Sequence, residues 1–133
     1  MKAIKIIGGL ALAVAIVSLM LASLRRHPPS YDLATETTVR GVVQEVQEFH
    51  CPVSGDLGTH LILQTANGAI QVHVAPERFL RGNGLSFTKG DQVEVVGSRF
   101  NYKGADTLIA RKISRGNETF AFRRASGKPV WME

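Results

Sequence analysis

The chain has 133 residues, one cysteine and a net charge of +5 at neutral pH. Its length suits a single domain, and a lone cysteine excludes an internal disulfide, so the domain must be stabilised by its core. Four basic residues flank an apolar N-terminal run, and the rest of the chain has twelve Lys and Arg against eleven Asp and Glu, which argues against a strongly basic nucleic-acid-binding surface.

Residues 6–24 form an uncharged and mostly apolar run. As a helix this run would span about 28 Å, close to the thickness of the hydrocarbon core of a bilayer. It is longer than the apolar part of a typical signal peptide and has no clear cleavage site. We therefore predict that residues 1–26 are a single-pass anchor in the bacterial inner membrane, with the domain that follows extracytoplasmic, in the periplasm. A cleaved signal segment and the opposite orientation are the alternatives.

Residues 27–37 are polar and contain two adjacent prolines, which predicts a linker. Residues 38–133 read as a β-rich domain. Its first strand is long, and a slip in the alternation of apolar residues indicates a bulge within it. The predicted strands are residues 39–49, 60–65, 69–74, 92–98, 107–113 and 119–123, and the predicted helix is residues 76–82.

The second and third strands are expected to form a hairpin around Asn67-Gly68, because this dipeptide between β-rich runs is a strong turn signal. If it forms a two-residue turn, Ala66 faces Ala69. His60 and His73 then lie diagonally on the same face, away from the core, within reach of each other. A change of one residue in register would place them on opposite faces.

Three strands, a short helix and two further strands follow the order of an OB-fold. The predicted fold class is therefore all-β: a small OB-fold-like five-stranded Greek-key barrel with one short helix, preceded by an N-terminal transmembrane helix.

The run GVVQEVQEFHCPVSGDLGTHLILQTANGAIQVHVAPERFL, with GDQVEVVGSR and LIARKI after it, resembles a group of small exported bacterial OB-fold proteins. Most of these proteins have no assigned function. The resemblance covers about residues 38–131 and implies the OB-fold. It implies no activity, because the group shares no catalytic motif.

The only cysteine, Cys51, follows His50 in the loop between the first two strands. In an OB-fold barrel this loop borders the ligand-binding surface, so Cys51 can approach His60 and His73. Thiolate and imidazole suit soft or borderline ions. The sequence thus predicts Cys51, His60 and His73 as candidate ligands of Zn²⁺ or Cu⁺, with His50 as a further ligand-binding residue. Purely structural roles and a free reactive thiol are the alternatives, because the spacing matches no metal-binding signature.

No acid, base and nucleophile can be assigned from the sequence, so we predict a binding protein and not an enzyme. The expected function is an accessory module that recognises a protein or a small ligand, with a protein partner at the membrane. One alternative is a metal- or haem-handling protein that uses Cys51, His60 and His73. Another is single-stranded nucleic-acid binding through Phe100, Tyr102 and nearby basic residues, although nucleic acid is not the expected partner.

Overall fold

The computed structural model describes residues 30–50 and 56–133. The predicted anchor at residues 6–24 and Cys51 lie outside these residues. The described elements, in chain order, are a 3₁₀ turn (Leu33–Thr35), β1 (Glu36–His50), β2 (Leu57–Thr65), β3 (Gly68–Pro76), α1 (Glu77–Gly82), β4 (Gln92–Tyr102), β5 (Ala105–Arg115), β6 (Glu118–Ala121) and a second 3₁₀ turn (Val130–Met132). Within the described ranges, no helix has the length and apolar character needed to cross a membrane.

The long strand β1 pairs with two different strands. Its first part, Glu36 to Val42, runs antiparallel to β4, and its second part, as far as His50, runs antiparallel to β2. The pairing with β2 shifts between Val43 and Glu45. This shift confirms the predicted bulge, which lets one strand bend and serve both sides of the barrel.

The sheet closes on itself. Its strand order is β3-β2-β1-β4-β5-β6, and β3 also pairs with β5 in parallel. Strands β1 to β5 thereby form a five-stranded barrel with the short helix α1 between β3 and β4, and β6 extends the sheet beyond β5. The predicted OB-fold-like Greek-key barrel is confirmed, and the predicted transmembrane helix falls on residues that are not described.

The predicted register of the β2–β3 hairpin is wrong. Gly68 pairs with Thr65, so the turn residues are Ala66 and Asn67, and Ala69 pairs with Gln64. Gly68 adopts a φ of +113°. The Thr65 hydroxyl donates to the carbonyl oxygen of Gly68 (2.7 Å) and accepts from the backbone N–H of Asn67 (3.1 Å). These bonds close the turn one residue earlier than the Asn-Gly signal suggests, with the glycine at the first position of β3.

This correction moves the pairing by two residues, and an even shift keeps every side chain on its predicted face. His60 therefore lies directly opposite His73, where a diagonal arrangement was expected. Between Thr59 and His60 the pairing of β2 with β3 shifts by one residue, so that Thr59 pairs with Ala75. The prediction that both histidines share one face is confirmed, and their separation is shorter than expected.

The core lies inside the barrel and takes alternate residues from each strand, as the two-residue period of a strand requires. Phe122 directly follows β6 and is fully buried, and Trp131 in the C-terminal turn packs against the same cluster. Its aliphatic members include Leu61, Leu63, Ile70, Val72, Val95, Leu108 and Ile113 on the strands, and Leu80 on α1.

Both ends of the described domain meet at Arg123, which is 6% exposed. Its guanidinium carbon lies 5.5 Å from the ring centroid of Tyr31 and 5.3 Å from that of Trp131. Its Nη1 donates to the carbonyl oxygen of Gly127 at 2.8 Å. Tyr31 also donates to Glu36 at 2.6 Å. Residues just before β1 thus belong to the folded domain, joined to its C-terminal turn by a cation–π contact on each side of one arginine.

Candidate functional site

His60 on β2 and His73 on β3 form a pair of stacked imidazoles. Their ring centroids are 4.0 Å apart and their planes are tilted by 31°. Both side chains point away from the barrel interior, because their neighbour Leu61 and its partner Val72 point into the core and successive residues of a strand alternate. Even so, His60 is 0% and His73 3% exposed.

Three aromatic side chains surround this pair. Phe49, near the end of β1, contacts the His60 ring edge-on with centroids 4.0 Å apart. Phe100 and Tyr102 on β4 contact the His73 ring at centroid distances of 6.0 and 6.2 Å. We call the outer surface formed by Phe49, His60, His73, Phe100 and Tyr102 the histidine face.

The topology of the barrel brings β4 to the histidine face. β5 pairs with β3 on one side and with β4 on the other, and Thr107 lies opposite both Gln71 and Phe100. Residues in one row across a sheet point to the same side. Phe100 therefore shares the outer side with Gln71, and Tyr102 follows two residues later on that side.

The ring nitrogens of His60 have unequal surroundings. Nδ1 lies 3.4 Å from the side-chain amide nitrogen of Gln71. Nε2 is buried and has no hydrogen-bond partner among residues 30–50 and 56–133. A buried polar atom left without a hydrogen bond costs about 1–3 kcal/mol, and such an atom in a native protein calls for an explanation.

Burial also determines the charge of the pair. Desolvation lowers the pKa of His60 to about 4. Desolvation and, secondarily, the neighbouring His60 lower the pKa of His73 to about 3. Both imidazoles are therefore neutral at neutral pH.

The structure describes three of the four predicted site residues, which are His50, His60 and His73. His60 and His73 are brought together. His50 is exposed at the end of β1 and follows Phe49, so its side chain points to the opposite side of the strand. Cys51 lies outside the described residues. Within residues 30–50 and 56–133, no group of three or more His, Cys, Asp or Glu is placed to hold a metal ion.

Sequence reasoning missed Phe49 and Gln71, and it assigned Phe100 and Tyr102 only to a nucleic-acid surface. The predicted fourth strand stopped at residue 98, whereas β4 continues to Tyr102. Phe100 and Tyr102 alternate with polar neighbours, which is a strand signal that could have extended the prediction. Their proximity to His73 depends on the parallel β3–β5 pairing, which local sequence does not encode.

Known proteins give matches at the level of family and of fold. A search of curated proteins found no match. The N-terminal domain of PriB protein from Thermoanaerobacter tencongensis is 20% identical, with a TM-score of 0.48 over 64% of this chain and 99% of that one.

Two further solved structures are similar. The Stn1-ten1 complex of S. pombe is 12% identical, with a TM-score of 0.49 over 69% of this chain and 73% of that one. Rim1, a mitochondrial single-stranded DNA binding protein of S. cerevisiae, is 14% identical, with a TM-score of 0.46 over 65% and 96%.

The family match is more specific than the resemblance to exported OB-fold proteins. Residues 35–120, well over half of the chain, match the MamS/MamX magnetosome protein family. This segment includes every residue of the histidine face. The chain belongs to the MamS/MamX magnetosome protein family.

Proposed function

We propose that this chain is a binding module of the magnetosome. Residues 6–24 anchor it in the inner membrane, and its barrel recognises a protein partner or a small ligand on the extracytoplasmic side. The observation that supports this function best is the histidine face. OB-folds use the outer face of their second and third strands for ligands, and here that face carries a buried histidine whose Nε2 has no hydrogen bond among the described residues.

The chemistry of the face favours binding over catalysis. A general acid or base works best when its pKa lies near the working pH. The pKa values of His60 and His73 are about 4 and 3, so neither exchanges a proton readily at neutral pH. Neutral imidazoles are, however, good ligands for metals.

A second candidate is the metal- or haem-handling function predicted for Cys51, His60 and His73. The buried Nε2 of His60, which has no hydrogen-bond partner among the described residues, favours it. Cys51 and His50 remain sequence-based members of the proposed ligand site. Cys51 is two residues after Phe49, whose ring contacts His60.

The location can be tested in a bacterial host. Lys89 is exposed in the turn before β4, so Lys89→Cys in a Cys51→Ser background provides one accessible thiol. We expect the chain to stay with membranes after an alkaline carbonate wash, and the thiol to react with a membrane-impermeant maleimide on spheroplasts. Release by carbonate, or labelling only after lysis, would contradict the proposal.

The binding surface can be tested by site-specific cross-linking. Phe49 on the histidine face is 38% exposed, and Leu33 at the start of the domain is 53% exposed. A photoreactive phenylalanine analogue at residue 49 is expected to cross-link a partner in cells, whereas the same analogue at residue 33 is not. Equal cross-linking at both positions, or none at residue 49, would contradict a partner at this face.

A further inference from the structure

The segment that leads into β1 is fixed to the body of the barrel. The backbone N–H of Asp32 donates to Oγ of Ser98 at 3.1 Å, and the hydroxyl oxygen of Thr35 lies 2.9 Å from the same Ser98 oxygen. The stretch of sequence between the apolar run at residues 6–24 and this fixed segment is therefore only residues 25–30.

Tyr31, at the start of the fixed segment, lies beside the last part of the chain. The guanidinium carbon of Arg123 is 5.5 Å from the ring centroid of Tyr31 and 5.3 Å from that of Trp131. Gly127 approaches the tyrosine so closely that a Cβ atom at this position would lie 2.8 Å from Cδ1 of Tyr31. The chain thus enters the domain next to residues 123–132, which we call the C-terminal segment.

The short connection keeps this end of the domain near the bilayer. Leu24 is the last residue of the apolar run, and residues 25–31 follow it. At about 3.3–3.6 Å per residue they span at most about 25 Å, and about 5–7 Å of this length lies within the headgroup layer. The connection therefore limits how far Tyr31 and the neighbouring C-terminal segment can lie from the membrane.

The charge of the C-terminal segment favours an anionic surface. Residues 119–132 contain three basic side chains and no acidic one. Arg124 and Lys128 are exposed, and Glu133 pairs with Arg124 and offsets its charge. Lys128 is then the main contact for a lipid phosphate, and the two arginines directly after the apolar run add positive charge on the same side of the domain.

The apolar side chains of the C-terminal segment suit the same surface. Met132 is 70% exposed, the largest exposed fraction among the large apolar side chains of the described residues. It follows Trp131, and tryptophan is enriched at the headgroup level of membranes because its ring combines an apolar body with a polar N–H. Exposed apolar side chains beside basic ones bind an anionic bilayer through both burial and charge.

We propose that the C-terminal segment docks on anionic lipid headgroups, with Lys128 against a phosphate and with Trp131 and Met132 at the headgroup level. This inference rests on the proposed function, because it takes residues 6–24 as the membrane anchor. Docking fixes the orientation of the barrel on the bilayer, and so it sets the direction in which the histidine face is presented to a partner.

The single tryptophan of the chain makes this contact measurable. The full chain is reconstituted into vesicles whose lipids carry bromine near the headgroup end of the acyl chain, because bromine quenches tryptophan fluorescence only at close range. One set of vesicles is phosphatidylcholine alone, and the other is an equal mixture of phosphatidylcholine and phosphatidylglycerol.

We expect strong quenching of Trp131 in the vesicles with phosphatidylglycerol and weak quenching in phosphatidylcholine alone. Added salt should reduce the quenching, because salt screens the attraction between exposed charges and headgroups. Lys128→Glu should lose most of the quenching. Lys89→Glu is the matched control, since it reverses the charge of an exposed lysine in the turn before β4 and should keep the quenching.

A second pair of variants tests the apolar contact. Met132→Ser should weaken the quenching, because it removes the exposed apolar side chain next to Trp131. Leu57→Ser is its control, since Leu57 is 45% exposed on β2 and lies outside the C-terminal segment.

The proposal is overturned if Trp131 is not quenched in the vesicles with phosphatidylglycerol, or if the two lipid compositions give equal quenching. It is also overturned if Lys128→Glu and Lys89→Glu lose equal amounts. The alternative occupant of this surface is an acidic protein. Cross-linking of a protein in cells from a photoreactive analogue at residue 132, without quenching in vesicles, would assign the surface to such a partner and overturn lipid docking.

The two proposals fail in different ways. A chain that the carbonate wash releases contradicts the membrane location and the docking together. A chain that stays in the membrane while Trp131 is not quenched contradicts only the docking, and it leaves the location and the cross-linking at residue 49 as they are.

Discussion

His60 and His73 face each other across β2 and β3 with ring centroids 4.0 Å apart, in a pair that is buried on the outside of the barrel. The barrel interior holds the aliphatic core, whereas this pair packs under the aromatic side chains of β1 and β4. Burial keeps both imidazoles neutral, and this charge state has measurable consequences.

The protein should lose stability as the pH falls from about 6.5 towards 4. The unfolded chain binds protons with a histidine pKa near 6.5, and the folded pair binds them only near 4 and 3. The unfolded state therefore holds more protons in this window, and the free energy of unfolding decreases by up to about 1.4 kcal/mol per pH unit for each histidine.

Urea denaturation at a series of pH values measures this slope. The double variant His60→Phe/His73→Phe is the control, and its stability should vary less over the same range. An equal slope in parent and double variant would show that other groups control the acid sensitivity.

Gln71→Leu should destabilise the domain by about 1–3 kcal/mol, because it removes the side-chain partner of Nδ1 on the buried His60 ring. Gln64→Leu on β2 is the control, since the Gln64 side chain is exposed and its amide donates to the carbonyl oxygen of Thr65. Urea denaturation of both variants measures the difference. Equal losses of stability would contradict a role for Gln71 in supporting His60.

Gly68→Ala should destabilise the domain by about 1–2 kcal/mol, because Gly68 has a φ of +113° and a side chain makes that conformation costly. Asn67→Ala should cost much less, since Asn67 has no positive φ. Thermal unfolding of both variants checks the corrected turn. A larger loss for Asn67→Ala would support the originally predicted turn at Asn67-Gly68.

Arg123→Met should destabilise the domain by about 1–3 kcal/mol, through loss of its contacts with Tyr31 and Trp131 and of its hydrogen bond to Gly127. Arg124→Met should cost much less, because the Arg124–Glu133 ion pair lies at the surface, where water screens it. Urea denaturation compares the two neighbours. Equal losses of stability in the two variants would contradict a stabilising role for the Arg123 contacts.

Single-stranded DNA should not bind, even at low salt. Bases stack on aromatic rings that are free to receive them, whereas Phe100 and Tyr102 pack against His73 and against each other. Fluorescence anisotropy with a labelled oligonucleotide tests this expectation. Salt-sensitive binding that Phe100→Ala abolishes would support the nucleic-acid alternative.

The strands and the order of the barrel follow from local sequence, because alternating apolar residues and glycine-containing turns are local signals. The turn at Thr65–Gly68 was misplaced because the Thr65 side chain competes with the Asn-Gly preference, and a dipeptide rule does not include that bond. The error of two residues kept His60 and His73 on one face. Their shared face was predictable, and their direct contact was not.

The rest of the histidine face could not be predicted, because it depends on pairings between distant parts of the chain. Phe100 reaches His73 only through the β4–β5 and β3–β5 pairings. The burial of His60 likewise depends on Phe49, which the bend of β1 brings to the outer face. A strand pattern alone predicts an exposed surface for both histidines, and so it misses the desolvation that keeps them neutral.

The most direct test of the account is nitrogen NMR of the histidine rings in the full chain. The chain has four histidines, His27, His50, His60 and His73, so two of them serve as internal controls. We predict that the ring nitrogens of His60 and His73 keep the shifts of neutral imidazole from pH 7 down to pH 5, because burial lowers the two pKa values to about 4 and 3. Signals from either ring that show protonation above pH 6 would contradict a buried, neutral pair at the histidine face.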